Sequence, residues 1–203
     1  GNSGSSSNQE TSPQGIRSQA GQAALIHSRI ANRGEPVPEP AATFKDVLAA
    51  AERISPYVHR TPVATSATLQ EVTGAEVFFK CENLQKVGAF KARGALNAVL
   101  SMDATDASRG VVTHSSGNHG AALAYAASIR DIPCTVVMPD DAPPIKLEAV
   151  RGYGAEIVLC RRAERESTCR SVVEKQGKVL IHPYEDPRII AGQGTAALEL
   201  LDQ

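Results

Sequence analysis

One lysine, Lys91, lies where its amine could become a nucleophile. It follows the segment Lys86-Val87-Gly88-Ala89-Phe90 and precedes small and apolar residues at helical spacing, which predicts a strand-to-helix junction. Small neighbours and one aromatic ring can keep water from the amine, and desolvation lowers the pKa of an ammonium group. A neutral amine can form a Schiff base with a carbonyl compound. A surface lysine whose stem covers the helix start would give the same pattern, so the segment alone leaves both interpretations open.

The second candidate site is a polar loop between an apolar strand and an alanine-rich helix, with the sequence Ser115-Ser116-Gly117-Asn118-His119-Gly120. Its glycines permit close backbone approach and positive φ, and free N–H groups at a helix start bind a carboxylate or phosphate. Serine and asparagine are also common helix caps, so the loop alone fits a structural role equally well. It lacks the glycine spacing of dinucleotide sites and P-loops, which disfavours a nicotinamide or ATP-hydrolysing function.

Alternating strands and helices are predicted to position both segments. Thr43 and Asp46 form a predicted capping box ahead of a helix that stops before Pro56. Short β-branched runs predict strands at residues 76–81, 111–113, 134–138, 156–159 and 179–181, with helical patterns between them. This alternation predicts an α/β fold of three layers, with parallel sheets that carry helices on both faces. Ligands bind such folds at the carboxyl ends of the strands.

Composition excludes several classes of function. The chain has 203 residues, 42% hydrophobic and 21% charged, with a formal net charge of -1, so no nucleic-acid partner is expected. No apolar run reaches the roughly 18 residues of a membrane span, so no membrane partner is expected either. The four cysteines lack metal-ligand spacing, which predicts no metal site in this chain. We interpret them as reduced thiols, typical of a cytoplasmic protein: Cys81, Cys134, Cys160 and Cys169.

The first 43 residues differ from the rest. They are rich in Ser, Gly, Gln and Asn and end in a proline-rich stretch at 34–40, which predicts a disordered tail and linker. Arg17, Arg29 and Arg33 would suit an organellar targeting peptide, whereas Glu10 would not, so targeting stays open.

Several motifs in one order resemble the fold-type II pyridoxal-phosphate enzymes, the tryptophan synthase β-like family, and within it the serine racemases and threonine (serine) ammonia-lyases. The resemblance runs from about Phe44 to Gln203. It is carried by Arg60-Thr61-Pro62-Val63, by residues 79–86, 88–99 and 115–120, by Tyr153-Gly154-Ala155 and by residues 182–195. The resemblance implies a pyridoxal 5′-phosphate cofactor and an amino-acid substrate, serine or threonine.

The resemblance also implies a role for each candidate residue. Lys91 would hold the cofactor as a Schiff base and abstract the Cα proton, and Ser116 would be the proton donor on the opposite face. Phe90 and Asn118 would contact the cofactor. The substrate would bind Ser115, Ser116, Gly117, Asn118 and His119.

A regulatory nucleotide site would use Lys86 and Tyr153. Val87, Ala89 and Ala121 depart from the family's pattern in this region, which weakens the inference of an ATP site. Tyr153 could instead be an aromatic residue that closes a helix, followed by Gly154 in the left-handed conformation.

The implied activity is that of a serine racemase with serine/threonine dehydratase (ammonia-lyase) activity. A threonine ammonia-lyase without racemase activity and a truncated, non-catalytic half-enzyme that acts as an interaction module are the alternatives. The resemblance covers only the family's N-terminal half. Its phosphate-binding glycines and the acidic ligands of Mg²⁺ are expected in a second half, through which Mg²⁺ and ATP could act as effectors. A full-length protein would be a homodimer.

The implied domain organisation has four parts. Residues 1–43 are the tail and linker, and residues 44–109 are the N-terminal part of the large domain, with Lys91. Residues 110–186 form a small α/β domain, and residues 187–203 return to the large domain, which is truncated.

Overall fold

The structure is a computed structural model that describes residues 40–115 and 117–203. The helices are α1 (Phe44–Ile54), α2 (Ala67–Thr73), α3 (Lys91–Leu100), α4 (Ala104–Arg109), α5 (Asn118–Arg130), α6 (Pro144–Gly152), α7 (Arg165–Gln176) and α8 (Pro187–Asp202). The strands are β1 (Val63–Thr65), β2 (Phe78–Lys80), β3 (Val111–His114), β4 (Cys134–Pro139), β5 (Glu156–Cys160) and β6 (Val179–Leu180). Residues 1–39 of the predicted disordered tail and linker lie outside the described residues.

Helix α1 begins where the sequence predicts it. The Thr43 hydroxyl accepts a hydrogen bond from the Asp46 N–H at 3.3 Å, and the Asp46 carboxylate accepts one from the Thr43 N–H at 2.8 Å. These bonds satisfy two backbone donors that a helix start otherwise leaves free. The predicted capping box is therefore confirmed.

The central sheet is parallel, as predicted. Its strand order is β5-β4-β3-β6, and every neighbouring pair in it runs in the same direction. Because parallel strands need crossover connections, helices separate them along the chain. Strands β1 and β2 form a separate antiparallel pair, and the sequence patterns did not predict β1.

Helices cover both faces of the sheet. Val112 and Val137 point to one face, where they pack with Cys169 and Val172 of α7. Val111 and Val136 point to the other face and join the larger core cluster, which includes Leu123 of α5. The near-continuous apolar strands reflect burial on both faces. The predicted α/β architecture is confirmed.

Residues 41–203 form one compact unit. The finer division into a large domain, a small domain and a return segment stays a prediction. In the described part of the chain, no helix combines the length and apolar character needed to cross a membrane.

Candidate active site

Lys91 is the first residue of α3, and its amine is partly buried. The Pro183 carbonyl oxygen accepts a hydrogen bond from the Lys91 Nζ at 2.9 Å. The same Nζ lies 5.2 Å from the centroid of the Phe90 ring, within cation–π range. Burial lowers the pKa of Lys91. The structure therefore gives this amine the desolvated surroundings that its sequence context predicted.

The polar loop lies at the start of α5. Gly117 is the N-cap of this helix, so the N-cap offers no side chain to the N–H groups of the first turn. The Ser115 hydroxyl accepts a hydrogen bond from the Gly117 N–H at 3.2 Å, which orients the turn. A helix start of this kind favours a bound anion.

Neither glycine of the loop, Gly117 or Gly120, has a positive φ. Gly117 has a φ of -144°, an extended value open to any residue, so it does not use the positive φ that glycine permits. At Gly120, a Cβ would lie 2.9 Å from Val136 Cγ1, which is too close for a side chain. Close approach between α5 and the sheet is the reason for glycine at this position.

The loop and the Lys91 amine share one edge of the sheet. The loop follows β3, and the segment that contains Pro183 follows β6, the parallel neighbour of β3. The Ile181 N–H donates to the Val112 carbonyl at 2.9 Å, which holds the end of β6 against β3. Because Pro183 binds the Lys91 amine, Lys91 lies at the carboxyl edge predicted to bind ligands.

His119 is a buried histidine beside this edge. Its side chain is buried, with 3% of the residue exposed, and among the described residues neither ring nitrogen has a hydrogen-bond partner of normal geometry. Burial and then the charge of Lys91 lower the pKa of His119 to about 4, although the Ile181 backbone acts in the opposite direction. At neutral pH His119 is therefore an uncharged ring that can donate one hydrogen bond and accept another.

An aromatic row lines the edge next to Pro183. The rings of His114 and His182 meet edge to face at 5.5 Å, and those of His182 and Tyr184 at 4.5 Å. The His182 Nδ1 accepts a hydrogen bond from the Glu185 N–H at 3.1 Å. The row thus fixes the short turn whose proline carbonyl holds Lys91.

Lys146 adds a positive charge to the loop. It lies in the first turn of α6, where the helix dipole disfavours a cation. Its Nζ lies 3.7 Å from the point that a Cβ on Gly117 would occupy. A carboxylate bound at the start of α5 would be stabilised by this ammonium.

The predicted site residues fall into three groups, apart from Lys86, which lies in the turn Lys86–Gly88 before α3. Lys91, Phe90, Ser115, Gly117, Asn118 and His119 belong to the two segments that meet at the sheet edge. Ser116 lies outside the described residues. Tyr153 lies elsewhere, because it caps the end of α6 and packs edge to face on Tyr125, two helical turns beyond the start of α5.

Sequence reasoning missed two contributors to the site. The Pro183 carbonyl is a backbone group 92 positions from Lys91, and no side-chain pattern indicates it. The sequence patterns did not single out Lys146, and its unfavourable place in the first turn of a helix was the signal that could have found it.

The residues present fit a cofactor that carries an aldehyde. Lys91 offers an amine of lowered pKa that can condense with an aldehyde, and the exposed Phe90 ring offers an apolar surface. The ring nitrogens of His119 have no hydrogen-bond partner of normal geometry within the described part of the chain, which leaves hydrogen-bonding capacity for a ligand. Across residues 40–115 and 117–203, no group of three or more His, Cys, Asp or Glu side chains could hold a metal ion.

Comparison with known proteins agrees with this chemistry. Residues 54–203 match the family model described as pyridoxal-phosphate dependent enzyme. The chain is 51% identical over 168 residues to a serine racemase of Dictyostelium discoideum. This match covers 82% of this chain and 52% of that protein. It is 55% identical over 163 residues to a β-hydroxyaspartate dehydratase of Paracoccus denitrificans, covering 79% and 52%.

Solved structures show the same fold. A crystal structure of serine racemase from Dictyostelium discoideum superposes with a TM-score of 0.77 at 52% identity, covering 81% of this chain and 54% of that one. The crystal structure of T.th. threonine deaminase gives a TM-score of 0.73 at 46% identity, covering 79% and 51%. The chain thus spans about half the length of the relatives that it matches. It belongs to the family of pyridoxal-phosphate-dependent enzymes.

Proposed function

We propose that this protein is a pyridoxal-phosphate-dependent serine racemase that also dehydrates serine and threonine. The observation that carries the proposal is the hydrogen bond of the Lys91 amine to Pro183, which follows β6 at the carboxyl edge of the sheet, together with the effect of the Lys91 charge on the pKa of His119 in the first turn of α5. The names of the relatives support the substrate class, because one is a serine racemase and another a threonine deaminase.

Pyridoxal phosphate, when bound, supplies an electron sink that makes the Cα proton of an attached amino acid acidic. Lys91 is the base that removes this proton, since its amine has a lowered pKa and lies at the site. To act, the amine must first leave the Pro183 carbonyl, which holds it at 2.9 Å.

The α5 start binds the substrate carboxylate. Ser115, Gly117, Asn118 and His119 provide hydroxyl and backbone N–H donors there, and the Lys146 ammonium strengthens the field. Asn118 also bonds the ring oxygen of the cofactor, and Phe90 packs against the ring. These ligand contacts are proposals that follow from the resemblance of the motifs.

Ser116 decides between two outcomes of the reaction. If its hydroxyl returns a proton to the face opposite Lys91, the product is the other enantiomer of the amino acid. If it does not, the β-hydroxyl leaves as water, and hydrolysis then gives ammonia with pyruvate from serine or 2-oxobutanoate from threonine. One site can therefore support racemase and dehydratase activity.

The Paracoccus relative favours a second candidate substrate. That relative is a β-hydroxyaspartate dehydratase, and it is 55% identical to this chain. Hydroxyaspartate has the same β-hydroxyl as serine and adds a second carboxylate, for which the cationic surroundings of Lys146 are suited.

The test is a product analysis, in the presence of pyridoxal phosphate, of the protein that joins this chain to the second half expected to hold the cofactor phosphate; the isolated 203-residue chain is not expected to be fully active. Chiral chromatography would measure D-serine formed from L-serine, and keto-acid assays would measure dehydration of serine, threonine and hydroxyaspartate. We expect both activities with serine, loss of both in Lys91→Ala, and loss of D-serine alone in Ser116→Ala.

Other results would select the alternatives. Dehydration of threonine without any D-serine would identify a threonine ammonia-lyase. A folded joined protein that binds no pyridoxal phosphate and converts no amino acid would contradict the enzymatic proposal and favour a non-catalytic interaction module.

Several finer expectations belong to the same proposal. Mg²⁺ and ATP are proposed as effectors, with Lys86 and Tyr153 as nucleotide contacts. In support, the turn of Lys86 (Lys86–Gly88) and the Tyr153 ring both pack against α5. A homodimer and a cytoplasmic location also stay predictions.

A further inference from the structure

Arg93 is a fully buried arginine, with 0% of the residue exposed, in the same helical turn as Lys91. Its guanidinium donates to both carboxylate oxygens of Glu82 and to both of Glu199, each at 2.8 Å. Burial opposes the charged form, but the hydrogen bonds to Glu82 and Glu199 outweigh it and raise the pKa of Arg93. The cation is therefore permanent and fixed from two sides.

The rest of this cluster balances the charge. The Lys80 ammonium lies 2.7 Å from a Glu199 oxygen and donates to the Thr61 carbonyl at 2.8 Å. Two cations thus face two carboxylates. Since a buried ion pair stabilises only when its geometry is complete, the cluster holds its four members in one arrangement. Glu82 belongs to the segment before Lys91, and Glu199 belongs to α8.

The backbones of α3 and α8 also touch directly. A Cβ on Gly192 would lie 2.6 Å from the Gly94 Cα and 2.7 Å from the Arg93 carbonyl oxygen. Real side chains are not found at such distances, so glycine is required for this crossing. The contact is one turn or less from Lys91. Gln193 adds a hydrogen bond from the Gly94 N–H to its side chain at 3.3 Å.

One continuous segment, residues 183–199, therefore contacts both the amine of Lys91 and the first turn of α3, where the side chain of Lys91 begins. Pro183 binds the amine, and Asp186 then caps α8. Farther along, Gly192 and Glu199 contact the backbone and the arginine of the first turn of α3. Any shift of this segment would move the amine and the base of its side chain together.

We propose that Arg93 and Gly192 are positioning residues for Lys91, which keep its amine in the partly buried place where it can react. This proposal rests on the proposed function, because it concerns the residue that holds the cofactor. Neither residue is required to touch the cofactor or the substrate.

The test measures the protonation of Lys91 in the cofactor-free chain. An amine-reactive reagent would label the protein across a range of pH, and mass spectrometry of the Lys91 peptide would give the midpoint. In Gly192→Ala the new methyl group displaces α3 from α8, so water reaches the amine. We expect the midpoint to rise by about half a pH unit or more.

Gly194→Ala is the matched control on the same helix. The three atoms nearest to its Cβ would all belong to the side chain of Val47 on α1, the closest at 2.8 Å. We expect the Lys91 midpoint to stay as in the parent chain. Circular dichroism would verify that each variant is folded.

Arg93→Lys is the milder second variant, since it keeps the positive charge but cannot make the paired hydrogen bonds to Glu82 and Glu199. We expect the midpoint of Lys91 labelling to rise, as in Gly192→Ala. If Gly192→Ala does not fold, the result for this variant tests the proposal. An unchanged midpoint in the folded variants, or an equal rise in Gly194→Ala, would overturn the proposal.

The outcome is separate from that of the proposed function. If Lys91 titrates as expected in every variant but pyridoxal phosphate never attaches to the parent chain, the positioning role stands and the enzymatic proposal fails. If the cofactor attaches but the midpoints do not move, the reverse holds.

Discussion

Lys146 tests the electrostatics of the substrate loop at the scale of a single residue. Replacing it with glutamine removes the charge that lies 3.7 Å from the Cβ position of Gly117. An exposed cation is worth about 0.5–1 kcal/mol to a bound anion, so KM for serine should rise about two- to fivefold while kcat stays the same. Steady-state kinetics at low salt would measure KM and kcat for the parent protein and for Lys146→Gln.

Lys175→Gln serves as the control for general charge effects. Lys175 is an exposed lysine in the last turn of α7. We expect its removal to leave KM unchanged. Equal changes in the two variants, or a fall in kcat alone for Lys146→Gln, would speak against a carboxylate bound at the α5 start.

The lowered pKa of His119 predicts how the free energy of unfolding depends on pH. Its pKa is about 4 in the folded chain and near 6.5 when unfolded, so from pH 6.5 down to 4 only the unfolded chain takes up this proton. The free energy of unfolding should therefore fall through this window, by about 3 kcal/mol in all from this group. Above pH 6.5 the ring is neutral in both states and has no such effect.

His119→Gln removes the titration and keeps a polar side chain. Urea unfolding at pH 7 and pH 4.5 should show a loss of stability that is about 2 kcal/mol smaller in the variant than in the parent chain. The same loss in both proteins would mean that this imidazole is not buried and neutral.

Two glycines allow a matched comparison at the scale of secondary structure. Gly110 and Gly177 end α4 and α7 with φ values of +75° and +67°, where an L-residue is strained. At Gly177 a Cβ would meet nothing, but at Gly110 it would lie 2.5 Å from the Pro133 carbonyl oxygen, between β3 and β4.

Alanine at Gly177 should therefore cost about 1 kcal/mol of stability, and alanine at Gly110 should cost about 2 kcal/mol more, because the start of β3 must move. Urea unfolding of the two variants measures the difference. Equal costs would show that the strands adapt and that the contact with Pro133 is unimportant.

The elements that form the sheet could be predicted because their residues report burial directly. Val111-Val112-Thr113 and Cys134-Thr135-Val136-Val137-Met138 are β-branched and apolar runs that only a strand with two covered faces requires. Strand β1 escaped prediction because Val63-Ala64-Thr65 is short and half exposed, so its pattern carries no clear period. Its pairing with β2 depends on partners distant in the chain.

The site could be predicted where its residues lie directly at the end of a predicted strand or the start of a predicted helix. Lys91 starts a helix and the polar loop ends a strand, and both features are local. The buried cluster around Arg93 was not predictable, because Glu82 and Glu199 come from segments that only the folded chain brings together. A charged residue in a helix gives no sign of burial until its partners are known.

At the scale of the whole molecule, α3 connects the two parts of the site. One side of this helix packs on α5, which carries the substrate loop, and the other side packs on α8, which continues from the Pro183 turn. Because both neighbours lead to the same edge of the sheet, the position of Lys91 depends on the packing of the entire unit rather than on a loop. A rigid support of this kind suits an amine that must meet a bound substrate from one face.

The central claim is that the Lys91 amine is the attachment point of pyridoxal phosphate. The direct measurement is to incubate the chain with pyridoxal phosphate, reduce it with borohydride and locate the added mass by peptide mass spectrometry. We predict one major adduct on Lys91, no adduct at that peptide in Lys91→Ala, and no comparable adduct on exposed lysines such as Lys45 or Lys175. Labelling spread evenly over the surface lysines, with Lys91 unmodified, would contradict the account.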